Sequence, residues 1–440
     1  TALVRMDRCL YGHPVAGHLW IKLCTDFLLS IGWEAVPGTS GLFRKSESLV
    51  CVYVDDLAAS GPSGELAELW KGFGDRFELR EVGDCTEFLG INVRRTVHPE
   101  MSATVAFDQK EYTQDLIKEF QTIYPEAKVH SAATPMTDDL YAHAGDPPVD
   151  PDKRVLKVIG RVLWLARCVR PDIAFAVSRL GSLAGRWSPK CMAQLTRLIG
   201  YLSSTADQVL LYREPPSWAK VIAEIYSDAS LVAPRSQTGT ALAVMSGSQT
   251  CALLAWTSTR QGLTADSTAA SEMIAAHSGI REHLQLALAL RLGSPRVRID
   301  NSSVVSISGT GHSKKLGWME AKPIALRLGV LHDLRQWGVL EVEHVGTNEQ
   351  LGDIGTKALD RVKLQEQCDL LGLFKPADFN PGLPPGLSKR IVRPKAGSAR
   401  CRRAAVARDH GSSRGSGPGG MYQPQGCSMY RDQPQGSSNW

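Results

Sequence analysis

The chain contains no apolar run long enough to span a membrane, and no charged segment followed by a cleavable apolar stretch stands at its start. A membrane-spanning helix is therefore excluded on sequence, and a secretory route is not expected. The first residue is Thr1 rather than Met, so the sequence reads as an internal fragment. There is no C-x-x-C pair among the 10 cysteines, which are scattered from Cys9 to Cys427. That spacing argues against a zinc site and against a compact disulfide framework, and it fits a reducing intracellular compartment. Net charge is also small, +5 over 440 residues. It is unevenly spread: residues 388–440 hold ten Lys/Arg against two Asp/Glu, a net of +8, which leaves residues 1–387 at −3. A nearly neutral body can still bind nucleic acid through a local groove, so total charge does not decide that question.

What is present is enough apolar residue, 43%, to bury several cores, and a length that calls for two or three domains. One stretch organises the chain: residues 49–61, LVCVYVDDLAASG. Val50, Val52 and Val54 alternate with Cys51 and Tyr53, which predicts a strand buried on both faces, and Asp55-Asp56 then marks a hairpin turn. Aspartate is a common turn residue, so a plain surface hairpin accounts for the pair on local grounds. The chemical alternative is that Asp55 and Asp56 offer hard oxygen ligands to Mg²⁺ at the hairpin tip, in a site for phosphoryl transfer.

Around this stretch the apolar periods predict a short strand, a Gly/Pro turn and a helix with Trp20, Leu23, Phe27 and Leu28 on one face. An amphipathic helix is expected from Glu65 to Phe77, and a strand over Phe88-Leu89-Gly90-Ile91-Asn92-Val93. Helical patterns follow at Tyr112–Phe120, Lys157–Cys168, Asp172–Leu183 and Met192–Ser203, with Asp172 placed near a positive helix end. A second set of acids begins with Asp228 at the end of an apolar strand. Two more strands follow as a meander, then a long helix with Glu272 near its start, a strand ending in Asp300-Asn301, and a strand, turn and helix bearing Asp353. Any one of these acids reads as solvated or capping. Four converging carboxylates, by contrast, would repel one another and require cations.

The order of motifs resembles the copia-type LTR retrotransposon Pol polyprotein over residues 1–362. LYG at Leu10–Gly12 is followed by SGLF at Ser40–Phe43, YVDD at Tyr53–Asp56, FLGI at Phe88–Ile91, TPM at Thr134–Met136 and RPDIAFAVSRL at Arg170–Leu180. The β-β-β-α-β-α order of the acid-bearing region is similar to an RNase H domain. The chain departs from the family at Pro14-Val15, where a Lys-Gln pair is usual, and near Gly317-Trp318.

The resemblance implies a multidomain α+β and α/β architecture. Its expected parts are a partial reverse-transcriptase palm over 1–103, a mainly helical thumb and connection over 104–218, an RNase H-like mixed-sheet domain over 219–362, and a disordered basic, Gly/Pro/Gln-rich tail over 363–440. It implies RNA-templated DNA synthesis, incomplete here because another palm aspartate would lie upstream, and Mg²⁺-dependent hydrolysis of the RNA strand of RNA:DNA hybrids. Asp55, Asp56, Asp228, Glu272, Asp300 and Asp353 would be catalytic and would bind two Mg²⁺ ions per active site, with Mn²⁺ as a substitute. Gly12, Tyr53, Val54, Leu89, Gly90 and Asn301 would touch substrate. The expected partners are RNA template, DNA primer, RNA:DNA hybrid and dNTPs, with no membrane, in cytoplasmic particles, the nucleus or both. The rival expectation is a decayed or co-opted retroelement remnant that binds RNA or hybrid without cutting it.

Overall fold

In a computed structural model, residues 13–97, 103–137, 140, 153–233, 235–312, 322–375 and 387–394 are described. All belong to the unit Thr1–Lys395. Gly12, Gly317-Trp318 and the tail from 395 onward lie outside the described residues.

The first region begins with helix α1 (Ala16–Ser30), whose buried side is Cys24, Phe27 and Leu28 with Trp20 alongside. Leu23, expected on that side, is instead exposed, because it stands a full step round the helix from Cys24. Strands β1 (Glu34–Ala35), β2 (Leu42–Lys45), β3 (Ser48–Tyr53) and β4 (Asp56–Ser60) form an antiparallel run, helix α2 (Ser63–Arg76) covers it, and β5 (Phe77–Asp84) follows. An aromatic cluster seals the layer: Phe27 lies edge-on to Phe73 and Phe77, with centroids 4.9 and 5.4 Å apart. Strand β3 is not buried on both faces as its alternation suggested. Ser48, Val50 and Val52 are buried, Leu49 and Cys51 only partly so, since α2 covers one face of the sheet.

The FLGI stretch is not a continuous strand. Glu87–Phe88 (β6) and Ile91–Val97 (β7) pair antiparallel, with Phe88 opposite Ile91. Between them Leu89 and Gly90 have φ of 54° and 73°. Two consecutive left-handed residues make the two-residue turn that matches strand twist, and this turn is what Gly90 permits. Strand β7 continues a sheet with β8 (Ala103–Asp108) and, further on, β9 (Val209–Arg213).

Between β8 and β9 run α3 (Lys110–Ile123), α4 (Lys153–Cys168), α5 (Ala174–Ser182) and α6 (Pro189–Ser204). The stretch expected to be mainly helical thus also carries two strands. A short 3-10 turn over Pro171–Ile173 precedes α5, and Asp172 does not cap it. Its carboxylate is buried and held by Arg170, through Nε at 2.9 Å and Nη2 at 2.7 Å, and by the Tyr201 hydroxyl at 2.6 Å. Arg170 also donates to the Thr205 carbonyl. Removing one member of such a buried pair leaves a stranded charge, at a cost of about 3–5 kcal/mol.

The third sheet is formed by β10 (Val221–Ser230), β11 (Gln237–Ser246) and β12 (Gln249–Arg260), an antiparallel meander, and by two later strands parallel to β10. Helix α7 (Thr268–Ala289) crosses over to β13 (Arg296–Ile299); α8 (Ser302–Thr310) and α9 (Lys322–Gln336) lead to β14 (Glu341–His344). The strand order is β12-β11-β10-β13-β14. Helices α7, α8 and α9 pack on one face around Ile225, Leu242, Met273, Val297 and Leu331. Gly279 brings α7 close, since a Cβ there would sit 3.3 Å from Ile225.

The opposite face is not open. Met245, Leu253, Ala241 and Ala243 share one continuous core with Leu116, Val162, Leu180 and Leu198 of α3–α6. Trp256 donates to the Ala166 carbonyl at 2.7 Å and Tyr212 to the Leu253 carbonyl at 2.5 Å. The result is a helix–sheet–helix sandwich.

Two corrections fall in the stretch expected to be disordered from 363. Helix α10 (Arg361–Leu371) buries Leu364, Cys368 and Leu371, is capped by Asp360, and ends at Gly372 with φ 80°. It joins the same core, and β15 (Leu373–Phe374) pairs with β9. Then β16 (Leu387–Pro394) pairs antiparallel with β4 on one side and β5 on the other. Backbone pairing on both sides supplies hydrogen bonds that no apolar period in the sequence announces.

Candidate divalent-cation site

The parallel pairing of β10 with β13 ends with Ser227 opposite Ile299. Asp228 continues β10 and Asp300 follows β13, so the topology delivers both carboxylates to one edge of the sheet. Glu272 is the fifth residue of α7, whose start is fixed by Ser267 accepting from the Ala270 amide at 3.2 Å. Asp228, Glu272 and Asp300 each present an oxygen, and these oxygens all lie within 4.8 Å of one another. Among the described residues this is the one group of three or more His, Cys, Asp or Glu that could share an ion.

Two of the three carboxylates are held by specific partners. Glu272 Oε1 accepts from the Ala229 amide at 3.2 Å, and Asp228 Oδ2 accepts from the Thr356 hydroxyl at 2.6 Å. Glu272 Oε2 and Asp353 Oδ2 are buried with no hydrogen-bond partner. Burial first, then the charges of Asp353 and Asp300, push Asp228 up from 3.8 to about 7, with Thr356 pulling the other way. Glu272 is raised well above the usual carboxylate value by burial and by Asp228 and Asp300. Asp300 is raised by burial and by Asp353, with Lys357 opposing. An acidic cluster in which each member makes its neighbours harder to ionise is a site built for added positive charge.

Asp353 belongs to this field but not to the inner three. It sits in a 3-10 turn, Asp353–Gly355, not on the expected helix. The reason is steric: Gly352 and Gly355 press against Gly239 of β11, and a Cβ on Gly239 would lie 2.1 Å from the Gly352 carbonyl oxygen. Gln350 ties the turn to β10, its Nε2 donating to the Ser227 carbonyl at 2.9 Å while its Oε1 accepts from the Gly352 amide. Asp353 Oδ1 is paired with Lys357 Nζ at 2.8 Å. Burial works against the Lys357 charge, but Asp353, Asp228 and Asp300 outweigh it, and its pKa is raised. Thr356 and Lys357 escaped the sequence reading. Their spacing of three and four residues from Asp353 was the available signal.

Asn301 spends its side-chain oxygen on capping α8, accepting from the Ser303 and Val304 amides. His344 Nε2 lies 3.0 Å from the Asp300 carbonyl oxygen.

Asp55 and Asp56 stand elsewhere, on the β3–β4 hairpin. Tyr53 pairs with Asp56, and Val54-Asp55 form the two-residue turn, with Val54 at φ 52°. Tyr53 and Val54 are half exposed, at 52% and 50%. The Trp20 indole donates to the Val54 carbonyl and packs edge-on to Phe77, so α1 holds the turn from beneath. Leu89 and Gly90 form the separate β6–β7 turn, where Gln109 Nε2 donates to the Gly90 carbonyl at 3.3 Å.

The described residues form a mixed α/β fold with one carboxylate cluster and, apart from it, a hairpin bearing Asp55 and Asp56. Residues 1–137 match the family model described as reverse transcriptase (RNA-dependent DNA polymerase). The chain is 26% identical over 388 residues to the retrovirus-related Pol polyprotein from transposon RE2 of Arabidopsis thaliana, covering 84% of this chain and 25% of that protein. It is 22% identical over 391 residues to the Pol polyprotein from transposon TNT 1-94 of Nicotiana tabacum, covering 84% of this chain and 28% of that one. The crystal structure of RNase H1 from Halobacterium salinarum NRC-1 overlaps 30% of this chain and 89% of that one, at 13% identity and a TM-score of 0.22. The chain is thus similar to Pol polyproteins from copia-type transposons. It spans about a quarter of the length of those it matches.

Proposed function

We propose that this chain hydrolyses the RNA strand of RNA:DNA hybrids at the Asp228–Glu272–Asp300 site, as part of a retroelement replication protein. The observation that carries this reading is the meeting of three carboxylate oxygens within 4.8 Å, one from β10, one from α7 and one from the residue after β13. The donor set fits hard divalent cations: all ligands are oxygens, and two buried oxygens lack any hydrogen-bond partner. Asp228, Glu272 and Asp300, with Asp353 beside them, would hold Mg²⁺, or Mn²⁺ in its place. When bound, such ions supply Lewis acidity toward the phosphodiester and the attacking water. The chain's own contribution is orientation. Ala229 and Thr356 each fix one oxygen of Glu272 and Asp228, leaving the other oxygen of each available. Burial excludes water and strengthens every charge in the cluster. Choice of RNA would come from contacts to successive 2′-hydroxyls in a shallow minor groove.

The YVDD hairpin is assigned to RNA-templated DNA synthesis, with Asp55 and Asp56 as cation ligands and Tyr53 and Val54 facing template, primer or dNTP. The support is the family match over 1–137 together with the exposed, Trp20-anchored turn. The setting would be cytoplasmic particles, the nucleus or both.

The test is Mg²⁺-dependent cleavage of a labelled RNA:DNA hybrid by the full chain beside Asp228→Asn and Asp300→Asn. Cleavage by the parent and its loss in both variants is the expected result. Hybrid binding without cleavage by the folded parent would instead favour the remnant that binds but does not cut.

A further inference from the structure

Lys357 puts a cation beside the acidic cluster, on its fourth carboxylate. Its ammonium lies 2.8 Å from Asp353 Oδ1, four residues earlier in the chain. Asp353 is almost wholly buried, its side chain 2% exposed, whereas the Lys357 side chain is 43% exposed. The lysine therefore reaches solvent along part of its side chain, while the carboxylate it pairs with does not. The other Asp353 oxygen is buried with no hydrogen-bond partner. Around the pair stand Asp228 and Asp300, both of which act electrostatically on the lysine, and Thr356, which is committed to Asp228.

We propose that Lys357 is a tethered counter-ion that occupies Asp353 in the cation-free protein and yields it to the divalent ion, so that this residue sets the cation concentration at which the site fills. The inference rests on the cation-binding reading of the acidic cluster and adds a residue to it. Lys357 is a positioning residue, acting through Asp353. An exchange of this kind needs a charge that is strong enough to neutralise the carboxylate and mobile enough to be displaced. A buried lysine would not leave, and a fully solvated one would not compete. The site also keeps its net charge nearer to zero when empty, which limits repulsion among four acids.

The experiment is a thermal-unfolding titration of the full chain with MgCl₂ after chelation, for the parent, Lys357→Met and Lys357→Arg, beside hybrid cleavage by the same samples. Methionine keeps the length and apolar stem while removing the charge. Without Mg²⁺, Lys357→Met is expected to melt below the parent. Its half-saturating Mg²⁺ should fall by roughly three- to ten-fold, the scale of one nearby charge partly screened by water. Lys357→Arg, which keeps the charge, should restore a parent-like midpoint. A midpoint for Lys357→Met equal to or higher than the parent's overturns the proposal, as does the absence of any Mg²⁺ response in the parent. Loss of hybrid cleavage in all three samples with the midpoint shift intact would reject the hydrolytic reading and leave the role of Lys357 standing.

Discussion

The Thr356 hydroxyl reaches back across 128 residues of chain to donate to Asp228 Oδ2 at 2.6 Å. The same hydroxyl lies 3.0 Å from the Asp353 carbonyl oxygen, so one side chain joins β10 to the Asp353 turn. Its donation favours ionised Asp228 against burial and repulsion. Thr356→Val keeps the shape and removes the donor. The variant should lose about 1–3 kcal/mol of stability. It should also need more Mg²⁺ at pH 7 to reach half-maximal hybrid cleavage, because Asp228 is then harder to deprotonate. The deficit should shrink above pH 8, where deprotonation is no longer limiting. A Mg²⁺ requirement that is unchanged at pH 7 would reject the role given to this bond.

The raised acids also set a stability profile of unusual sign. Asp228 titrates near 3.8 when unfolded and at about 7 when folded. Between those values the native state binds a proton that the unfolded chain does not. The contribution is complete below about pH 4 and is lost as pH rises through about 7, on the order of 4 kcal/mol for a shift of this size. Glu272 and Asp300 act in the same direction. In chelator, the parent should therefore lose stability relative to Asp228→Asn between pH 4 and 7, as read by urea unfolding at each pH. Added Mg²⁺ should restore it above pH 7. A parent that instead gains on the variant across that window would refute the electrostatic account.

Gly239 and Gly352 touch through bare backbone, which is what lets the Asp353 turn lie against β11. Gly239→Ala would force a Cβ to within 2.1 Å of a carbonyl oxygen unless the turn moves. The expected cost is about 1–3 kcal/mol, with a weaker Mg²⁺-induced rise in melting temperature because Asp353 is displaced. Melting curves with and without Mg²⁺ check both effects. A variant with parent-like curves would mean that the turn has slack that this contact does not suggest.

Much of the site was legible because its signals were local. Alternating valines ahead of Asp55-Asp56 announced the hairpin, and the meander, long helix and later strands announced where Asp228, Glu272 and Asp300 would fall. What was not legible depended on neighbours. Leu89-Gly90 read as strand because apolar residues flank it, while its left-handed backbone made it a turn. Asp172 read as a helix-end charge, yet Arg170 and Tyr201 claim it from inside the core. Asp353 read as the fourth member of one cluster, but its pairing with Lys357 is a matter of side-chain reach within a turn. Composition after Phe374 hid β16, whose partners are backbone groups on β4 and β5.

The domain edge proposed near 219 meets a physical obstacle, because apolar period shows that a helix has a buried side without naming what covers it. Helices α3–α6 and α10 cover Ala241, Ala243, Met245 and Leu253, and Trp256 is hydrogen-bonded to α4. Excising residues 219–362 would strip that layer and uncover one face of the sheet. Each large side chain exposed forfeits about 1.5–3 kcal/mol, and three or four such losses match the whole stability of a typical domain. The excised piece is expected to bind a hydrophobic dye, to unfold without a sharp transition and to cleave hybrid poorly. A piece spanning residues 103–375 keeps the helical layer and β8, β9 and β15, and should unfold cooperatively and retain Mg²⁺ response. Calorimetry of the two pieces side by side decides the matter. Equal melting temperatures with sharp transitions in both would mean that residues 219–362 are independent of the helices packed on them, and that the shared core contributes little.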